Sequence, residues 1–126
     1  MVKDPTSLKD KGNVYYKACD YTRAIECYSE CVEKLETEPR TEENRKLMAL
    51  VYSNRAMTLV KLNERGKAIE DCNKSIEYDP TYSKSYLRRA DCLKKIGKYK
   101  DALKDYQMLI KLTPDDKAVE SDMSNL

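Results

Sequence analysis

The sequence contains no histidine, no tryptophan and no phenylalanine, and it has only three glycines among its 126 residues. Histidine is the side chain used most often for acid–base catalysis at neutral pH, so its absence removes the commonest catalytic group. Three scattered glycines cannot form a glycine-rich phosphate-binding loop, and no cysteine has an obvious base partner. These absences predict that the chain is not an enzyme and uses no cofactor.

The five cysteines are an odd number, which favours reduced thiols over a disulfide framework. Cys27 and Cys31 lie four residues apart and share one face of a predicted helix. No further cysteine and no histidine stands nearby to complete the four ligands of a zinc site. We therefore predict packing roles for these thiols, no metal site, and a cytoplasmic location in which cysteines stay reduced.

Charge and hydropathy argue against two further classes of partner. Lys and Arg number 24 and Asp and Glu 22, and the resulting net charge of +2 is too small to predict nucleic-acid binding. No apolar run approaches the roughly 18 residues needed to span a bilayer. Residues 1–5 lack the basic start and apolar core of a secretory signal. We expect one small soluble domain.

Residues of one chemical type recur at fixed intervals. Ala24, Ala68 and Ala102 lie in similar sequence frames; the last two are 34 residues apart, whereas the first two are 44 apart, which places an insertion at about 36–45. Large residues recur about one helical turn from small ones, the pattern of antiparallel helix pairs at their crossings. The aligned sets are Leu8, Tyr52 and Tyr86; Gly12, Ala56 and Ala90; Tyr15, Leu59 and Leu93; and Tyr28, Cys72 and Tyr106.

The pattern predicts three helix pairs and a seventh, short helix. Thr41 is expected to cap the third helix and Thr81 the fifth. Pro80 and Pro114 close the second and third pairs, because proline lacks the donor needed inside a helix. The last helix is short for a terminal cap, so we expect a domain cut from a longer protein. The expected helices are 8–18, 21–35, 42–62, 66–78, 82–96, 100–112 and 115–126.

These residues resemble the tetratricopeptide repeat family, whose two-helix units recur every 34 residues with small residues at the helix crossings. Agreement is best at 52–56, 68–72 and 86–90; the departures are the insertion and Glu36, which stands where a repeat-ending proline would fall. The resemblance implies an all-α domain over 1–126, with three helix-turn-helix repeats and a short C-terminal capping helix in a right-handed superhelix. The implied boundaries are about 5–38, 49–82 and 83–116 for the repeats and 115–126 for the partial cap.

The resemblance also implies a groove lined by the first helix of each pair, with Asp91 as its single acid. Five residues match the carboxylate clamp of one subgroup of the family: Lys9, Asn13, Asn54, Lys84 and Arg88. In that subgroup the clamp holds the final Asp of a C-terminal Glu-Glu-Val-Asp tail, and the partners are heat-shock protein 90 and heat-shock protein 70. The first three residues would hold the main-chain carboxylate, and the last two the Asp side chain or nearby carbonyls. We expect Lys84 and Arg88 to face solvent in the empty groove.

Four further residues form a secondary set. Tyr16 and Met57 are candidates for lining a pocket for the Val side chain, although apolar residues at helical spacing usually belong to a core. Lys94 and Lys95 are candidates for meeting the upstream glutamates, although cations near a helix C-terminus are favoured by the helix dipole alone. Both explanations stay open for each pair.

The function implied is a co-chaperone adaptor with no nucleic-acid partner and no membrane segment. A terminal Asp carries two carboxylates close together, which three fixed cations and two amide donors can satisfy. One alternative is a scaffold that takes an internal peptide or another protein in the same groove. A second alternative is the docking domain of a larger enzyme.

The repeat register predicts the effect of enlarging a helix crossing. Ala68→Leu should lower the free energy of unfolding by about 1–3 kcal/mol, because the larger side chain overpacks the crossing. Thermal unfolding followed by circular dichroism measures the change. A melting temperature equal to that of the wild type would contradict the register.

Overall fold

A computed structural model describes residues 4–125, and within this range the chain forms seven helices and no strand. Successive helices pack as three pairs, α1 with α2, α3 with α4 and α5 with α6, and α7 lies against α6. This confirms the predicted all-α fold of three helix pairs with a short C-terminal helix. None of these helices is long and apolar enough to cross a membrane. The helices are α1 (Pro5–Lys17), α2 (Tyr21–Glu36), α3 (Glu42–Lys61), α4 (Arg65–Tyr78), α5 (Ser83–Lys95), α6 (Tyr99–Leu112) and α7 (Lys117–Ser124).

The turn inside each pair has the same backbone conformation. Cys19, Asn63 and Gly97 stand at equivalent positions and have positive φ angles of 62°, 61° and 84°. In each turn the amide of the following residue donates to the carbonyl five residues earlier, at 2.8–2.9 Å. This is the Schellman arrangement that ends a helix. It ends α1, α3 and α5 one residue before the predicted positions, at the same register in all three pairs.

The first helix starts earlier than predicted because Asp4 caps it. The Asp4 carboxylate accepts a hydrogen bond from the Ser7 amide at 2.8 Å, and Pro5 occupies the first turn. Proline is favoured at that position because the first amides of a helix have no intrahelical acceptor. The helix therefore begins at Pro5 rather than Leu8.

The two threonine caps have opposite outcomes. Thr41 caps α3 as predicted, since its hydroxyl accepts from the Asn44 amide at 3.1 Å. The prediction that Thr81 caps α5 is wrong, because Tyr82 is the residue at that cap position. Thr81 instead donates its hydroxyl to Asp79 Oδ1 at 2.6 Å, within the turn that follows α4. At the C-terminal end, α7 is shorter than the predicted 115–126, and Leu126 lies outside the described residues.

The aligned small residues are buried where the helices cross. The five alanines of the register have no exposed surface, and Gly12 is buried as well. At Gly12 the approach is close, since a Cβ atom there would lie 2.6 Å from the ring of Tyr28. Large residues of the register, including Tyr28 and Tyr106, are fully buried beside them. The helix pairs can therefore approach only because these positions lack bulk.

An arginine in each of the second and third pairs joins three helices. Arg55 binds Asp71 with two hydrogen bonds of 2.7 Å and donates to Ser29 at 3.1 Å. Arg89, 34 residues later, binds Asp105 at 2.8 and 2.6 Å and donates to an asparagine of α4. Each carboxylate is buried, so a two-point contact with arginine satisfies a charge that would otherwise be costly. These contacts fix each pair against the one before it.

The insertion forms a short connection and a longer helix. Residues 37–41 join α2 to α3, and α3 extends to 20 residues. Glu36 accepts hydrogen bonds from the Tyr52 and Tyr78 hydroxyls at 3.4 and 3.2 Å and pairs with Arg40 at 2.7 Å. The two tyrosine rings stack with centroids 5.9 Å apart, and the Arg40 guanidinium lies 5.8 Å from the Tyr78 centroid. Glu36 therefore anchors the insertion at a position where the family pattern has proline.

Four of the five cysteines are buried in the helix packing, and Cys19 is exposed. Burial raises the pKa of the Cys31 thiol to about 11 and that of Cys72 to about 12. Such thiols stay protonated and unreactive at neutral pH. Within residues 4–125 no group of three or more potential ligands is arranged to hold a metal ion.

The contact at Gly12 predicts opposite effects for two glycine substitutions. Gly12→Ala should lower the free energy of unfolding by about 1–3 kcal/mol, because the methyl group overlaps the Tyr28 ring. Gly66→Ala should instead add about 0.5–1 kcal/mol, since nothing lies within 4 Å of the added Cβ and alanine favours the helix. Urea unfolding measures both values. Equal stability of the two variants would contradict the close approach.

Candidate functional site

The five predicted clamp residues lie on the first helices of the three pairs. Lys9 and Asn13 belong to α1, Asn54 to α3, and Lys84 and Arg88 to α5. A hydrogen bond joins α1 to α3, since Asn54 Nδ2 donates to Asn13 Oδ1 at 3.2 Å. Contacts of Arg88 join α5 to α3. The structure thus places Asn13 beside Asn54, 41 positions away in sequence, and Arg88 against α3, 31 to 35 positions away.

Asn13 is held by two donors on the same oxygen atom. Its Oδ1 accepts the Tyr28 hydroxyl at 2.5 Å as well as the Asn54 amide. Burial raises the pKa of Tyr28 to about 12, so the phenol remains a donor at neutral pH. Within residues 4–125 the Asn13 Nδ2 group has no hydrogen-bond partner. That amide group is therefore available as a donor to a bound anion.

Arg88 is held against α3 and does not face solvent freely, which corrects the expectation from the sequence. Its Nη1 donates to the Ser53 hydroxyl, and its Nη2 lies 3.3 Å from Met57 Sδ. Ser53 is fully buried, and Arg88 is half-buried. The guanidinium has five N–H donors, so these two contacts leave others for a ligand. The reason for the difference is that α3 and α5 pack directly against each other at this point.

The two lysines stand at opposite ends of the set. Lys9 is largely covered, with 20% of its side chain exposed, and its Nζ lies 3.5 Å from Asp10 Oδ1. Lys84 is exposed, and it forms no ion pair with any residue between 4 and 125. An unpaired cation in a groove raises the local concentration of anionic ligands. Lys84 therefore remains free to meet a carboxylate, as the sequence suggested.

A cavity of about 280 Å³ adjoins Arg88. Tyr16, Met57 and Lys95 of the secondary set line it, whereas Lys94 does not. Tyr16 also packs edge-on against Tyr21, with ring centroids 5.5 Å apart, and contacts the core, so it lines the cavity and belongs to the packing as well. The lining combines apolar side chains with four cations and one acid, Asp91. Its lining is Tyr16, Met57, Val60, Lys61, Arg65, Arg88, Asp91, Cys92 and Lys95.

The third pair contains a bond equivalent to the Tyr28–Asn13 contact. The Tyr106 hydroxyl donates to Asp91 Oδ1 at 2.8 Å, and both residues stand 78 positions after their counterparts in the first pair. In the second pair the equivalent residues are Cys72 and Met57, which form no such bond. A buried phenol in α2 or α6 thus reaches a polar groove residue on the preceding helix.

Sequence reasoning missed two residues that support the groove from behind. The repeat register indicates only a core role for Tyr28, and no sequence pattern indicates a role for Ser53. The sequence did contain a signal for Tyr28, because a buried tyrosine hydroxyl normally has a hydrogen-bond partner. The equivalent position in the second pair is a cysteine, so packing alone does not require tyrosine there. No comparable signal existed for Ser53, since its contact depends on the packing of α5 against α3.

The stacked helix pairs, with small residues at the crossings, define a helical-repeat domain of the tetratricopeptide type. Models of the tetratricopeptide repeat match residues 49–82 and 72–104. The chain is 31% identical to the second TPR domain of human RPAP3, solved in complex with the HSP70 peptide SGPTIEEVD; the match has a TM-score of 0.80 and covers 96% of this chain and 92% of that one. The chain belongs to the tetratricopeptide repeat family.

Two further comparisons describe the same likeness. The first TPR domain of Spaghetti (RPAP3), bound to the HSP90 peptide SRMEEVD, matches with a TM-score of 0.83 and 27% identity over 97% of this chain and 89% of that one. A DnaJ homolog subfamily C member 7 homolog of Dictyostelium discoideum is 38% identical over 86% of this chain, and serine/threonine-protein phosphatase 5 of Rattus norvegicus is 35% identical over 92%. The chain spans 19% and 21% of the length of these two relatives.

The contacts of Arg88 predict a stability effect in the absence of any ligand. Arg88→Ala should lower the free energy of unfolding by about 1 kcal/mol, because the buried Ser53 hydroxyl loses its donor. Lys84→Ala, which removes an exposed cation from the same helix, should change it by less than about 0.5 kcal/mol. Urea unfolding of both variants measures the difference. Equal unfolding free energies for the two variants would indicate that Arg88 faces solvent, as the sequence alone suggested.

Proposed function

We propose that this domain binds the C-terminal Glu-Glu-Val-Asp tail of heat-shock protein 90 or heat-shock protein 70 and acts as a cytoplasmic co-chaperone adaptor. The observation that carries the proposal is the row of donors on α1, α3 and α5, in which the Asn13–Asn54 bond and the contacts of Arg88 with α3 link the three helices. An amide pair, Asn13 and Asn54, lies at its centre, with Lys9 on the same helix as Asn13. Lys84 and Arg88 on α5 supply the remaining cations.

A free C-terminal Asp matches this row chemically. Its main-chain carboxylate accepts hydrogen bonds from Lys9, Asn13 and Asn54, and its side-chain carboxylate or the adjacent carbonyls accept from Lys84 and Arg88. Arginine suits the second role because its planar fork can bind two oxygen atoms at once. The Asn13–Asn54 contact supports the first role, because it holds two amides side by side before any ligand arrives.

The cavity beside Arg88 extends the proposal to the residues that precede the terminal Asp. Tyr16 and Met57 offer an apolar surface to the Val side chain. Lys95, on the rim of the same cavity, and Lys94, in the last turn of α5, would meet the upstream glutamates. The peptides bound by the matching RPAP3 domains end in Glu-Glu-Val-Asp, which fits an apolar side chain flanked by acids.

The affinity for the peptide should be modest because the domain holds only the last few residues of the tail. Each charge-assisted hydrogen bond contributes about 1.5–3 kcal/mol, but ordering a flexible tail offsets much of this gain. We expect a dissociation constant in the micromolar range, or roughly −7 to −8 kcal/mol. Exchange should be fast, and binding should weaken as salt screens the cations.

The domain is proposed as a binding module and not as a catalyst. Its match to serine/threonine-protein phosphatase 5 covers 21% of that protein. A domain of this kind can therefore be part of a longer chain whose enzyme domain lies elsewhere. The repeat boundaries proposed for such a module are about 5–38, 49–82 and 83–116, with a partial cap at 115–126.

Calorimetric titration with a free-acid Glu-Glu-Val-Asp peptide and with its C-terminal amide tests the function. The acid should bind with micromolar affinity and the amide at least tenfold more weakly, because amidation removes the carboxylate held by the amide pair. Lys84→Ala should weaken acid binding by about tenfold, equal to about 1.4 kcal/mol.

The matched control is Lys74→Ala, which removes an exposed cation from α4, outside the row of donors. It lowers the net charge by the same amount, so any general electrostatic effect is shared by both variants. Equal binding of acid and amide by the wild type would move the function to a scaffold that takes internal peptides. An equal loss of peptide affinity in Lys84→Ala and Lys74→Ala would show that Lys84 is not part of the site.

A further inference from the structure

Tyr28 lies outside the groove, yet it contacts the groove directly through its hydroxyl. Its ring is fully buried between α2 and α1, and its hydroxyl donates to Asn13 Oδ1 at 2.5 Å. The ring can reach α1 only because Gly12 has no side chain there, since a Cβ would lie 2.6 Å from it. Glycine at position 12 and tyrosine at position 28 therefore act together to bring a phenol behind Asn13.

The Tyr28 phenol and the Asn54 amide together determine which end of the Asn13 amide faces a ligand. Oδ1 receives two donors, Tyr28 from behind and Asn54 from the neighbouring helix. Rotating the amide by half a turn would place its NH₂ group against the Asn54 NH₂ group, two donors without an acceptor. The amide is therefore fixed with Nδ2 turned away from both partners and available to an anion.

We propose that Tyr28 is a positioning residue of the carboxylate site, which it serves by orienting Asn13 as a donor. This inference rests on the function proposed above and adds to it a residue that touches no ligand. A preoriented donor binds a carboxylate without the loss of rotational freedom that a free side chain would suffer. Removing the phenolic oxygen should therefore weaken ligand binding even though the ring and the fold remain.

The third pair supplies an internal control for this inference. Tyr106 is buried to the same degree, and its hydroxyl makes the equivalent bond to Asp91 at 2.8 Å. Asp91 is an acceptor and offers no N–H group to a carboxylate. Tyr106→Phe thus removes the same atom from an equivalent environment without changing any donor of the site.

The experiment compares Tyr28→Phe with Tyr106→Phe in titrations of the free-acid peptide and its amide. Tyr28→Phe should weaken acid binding about three- to tenfold, equal to about 0.7–1.4 kcal/mol, whereas Tyr106→Phe should leave it within about twofold. Melting curves establish that both variants are folded at the temperature of titration. Unchanged acid binding in Tyr28→Phe, or equal losses in the two variants, would overturn the inference.

A double-mutant cycle separates positioning from a general structural role. In an Asn13→Ala background, Tyr28→Phe should have no further effect on the dissociation constant, because the residue through which it acts is gone. A loss as large as in the wild-type background would show that Tyr28 acts by another route and would overturn the inference.

A second readout does not depend on any peptide. The side-chain amide of Asn13 should show restricted motion by NMR relaxation in the wild type and clearly greater motion in Tyr28→Phe. Equal order in both proteins would refute the positioning role. If the wild type bound acid and amide equally, the proposed function would fail, and the NMR comparison would still decide whether Tyr28 orients Asn13.

Discussion

The close crossing of two helices within each pair is the constraint on which this structure depends. It requires a small residue at the crossing, and the buried alanines and Gly12 meet that requirement in every pair. Where the helices approach closely, large side chains of the register such as Tyr28 and Tyr106 are fully buried. The shared left-handed turn at Cys19, Asn63 and Gly97 then ends each first helix at the same point of the register. A groove follows from the repetition of this geometry.

Polar groups that serve the groove also hold the helices in place. Arg88 contacts Ser53 and Met57 on α3, so the same guanidinium that is proposed to bind a carboxylate joins two repeats. Asn13 joins α1 to α2 through Tyr28 and to α3 through Asn54. The proposed site would therefore be arranged before a ligand arrives, which would lower the entropy cost of binding. Arg55 and Arg89 in turn join each pair to the one before it through Ser29 and Asn73.

The sequence predicted the helix pairs because alanine and glycine recur at crossing positions with a period that only a two-helix unit explains. The resemblance to the tetratricopeptide family supplied the candidate groove residues, and the structure places all five clamp candidates on α1, α3 and α5. The sequence pattern mispredicted helix boundaries where a nearby polar side chain or proline determines the end of the helix. Asp4 and Pro5 start α1 before its apolar pattern begins, and the Asp79 side chain binds Thr81 in the turn where a helix cap was expected.

By itself the sequence determined the all-α repeat, its register and the residue types along the groove, because these depend on spacing within single helices. Tertiary structure alone decided how those residues contact one another. That Tyr28 reaches Asn13, and that Arg88 lies on Ser53, depends on the distance and angle between helices 15 to 35 residues apart in sequence. Such distances are set by the summed packing of many side chains, which no single spacing in the chain encodes.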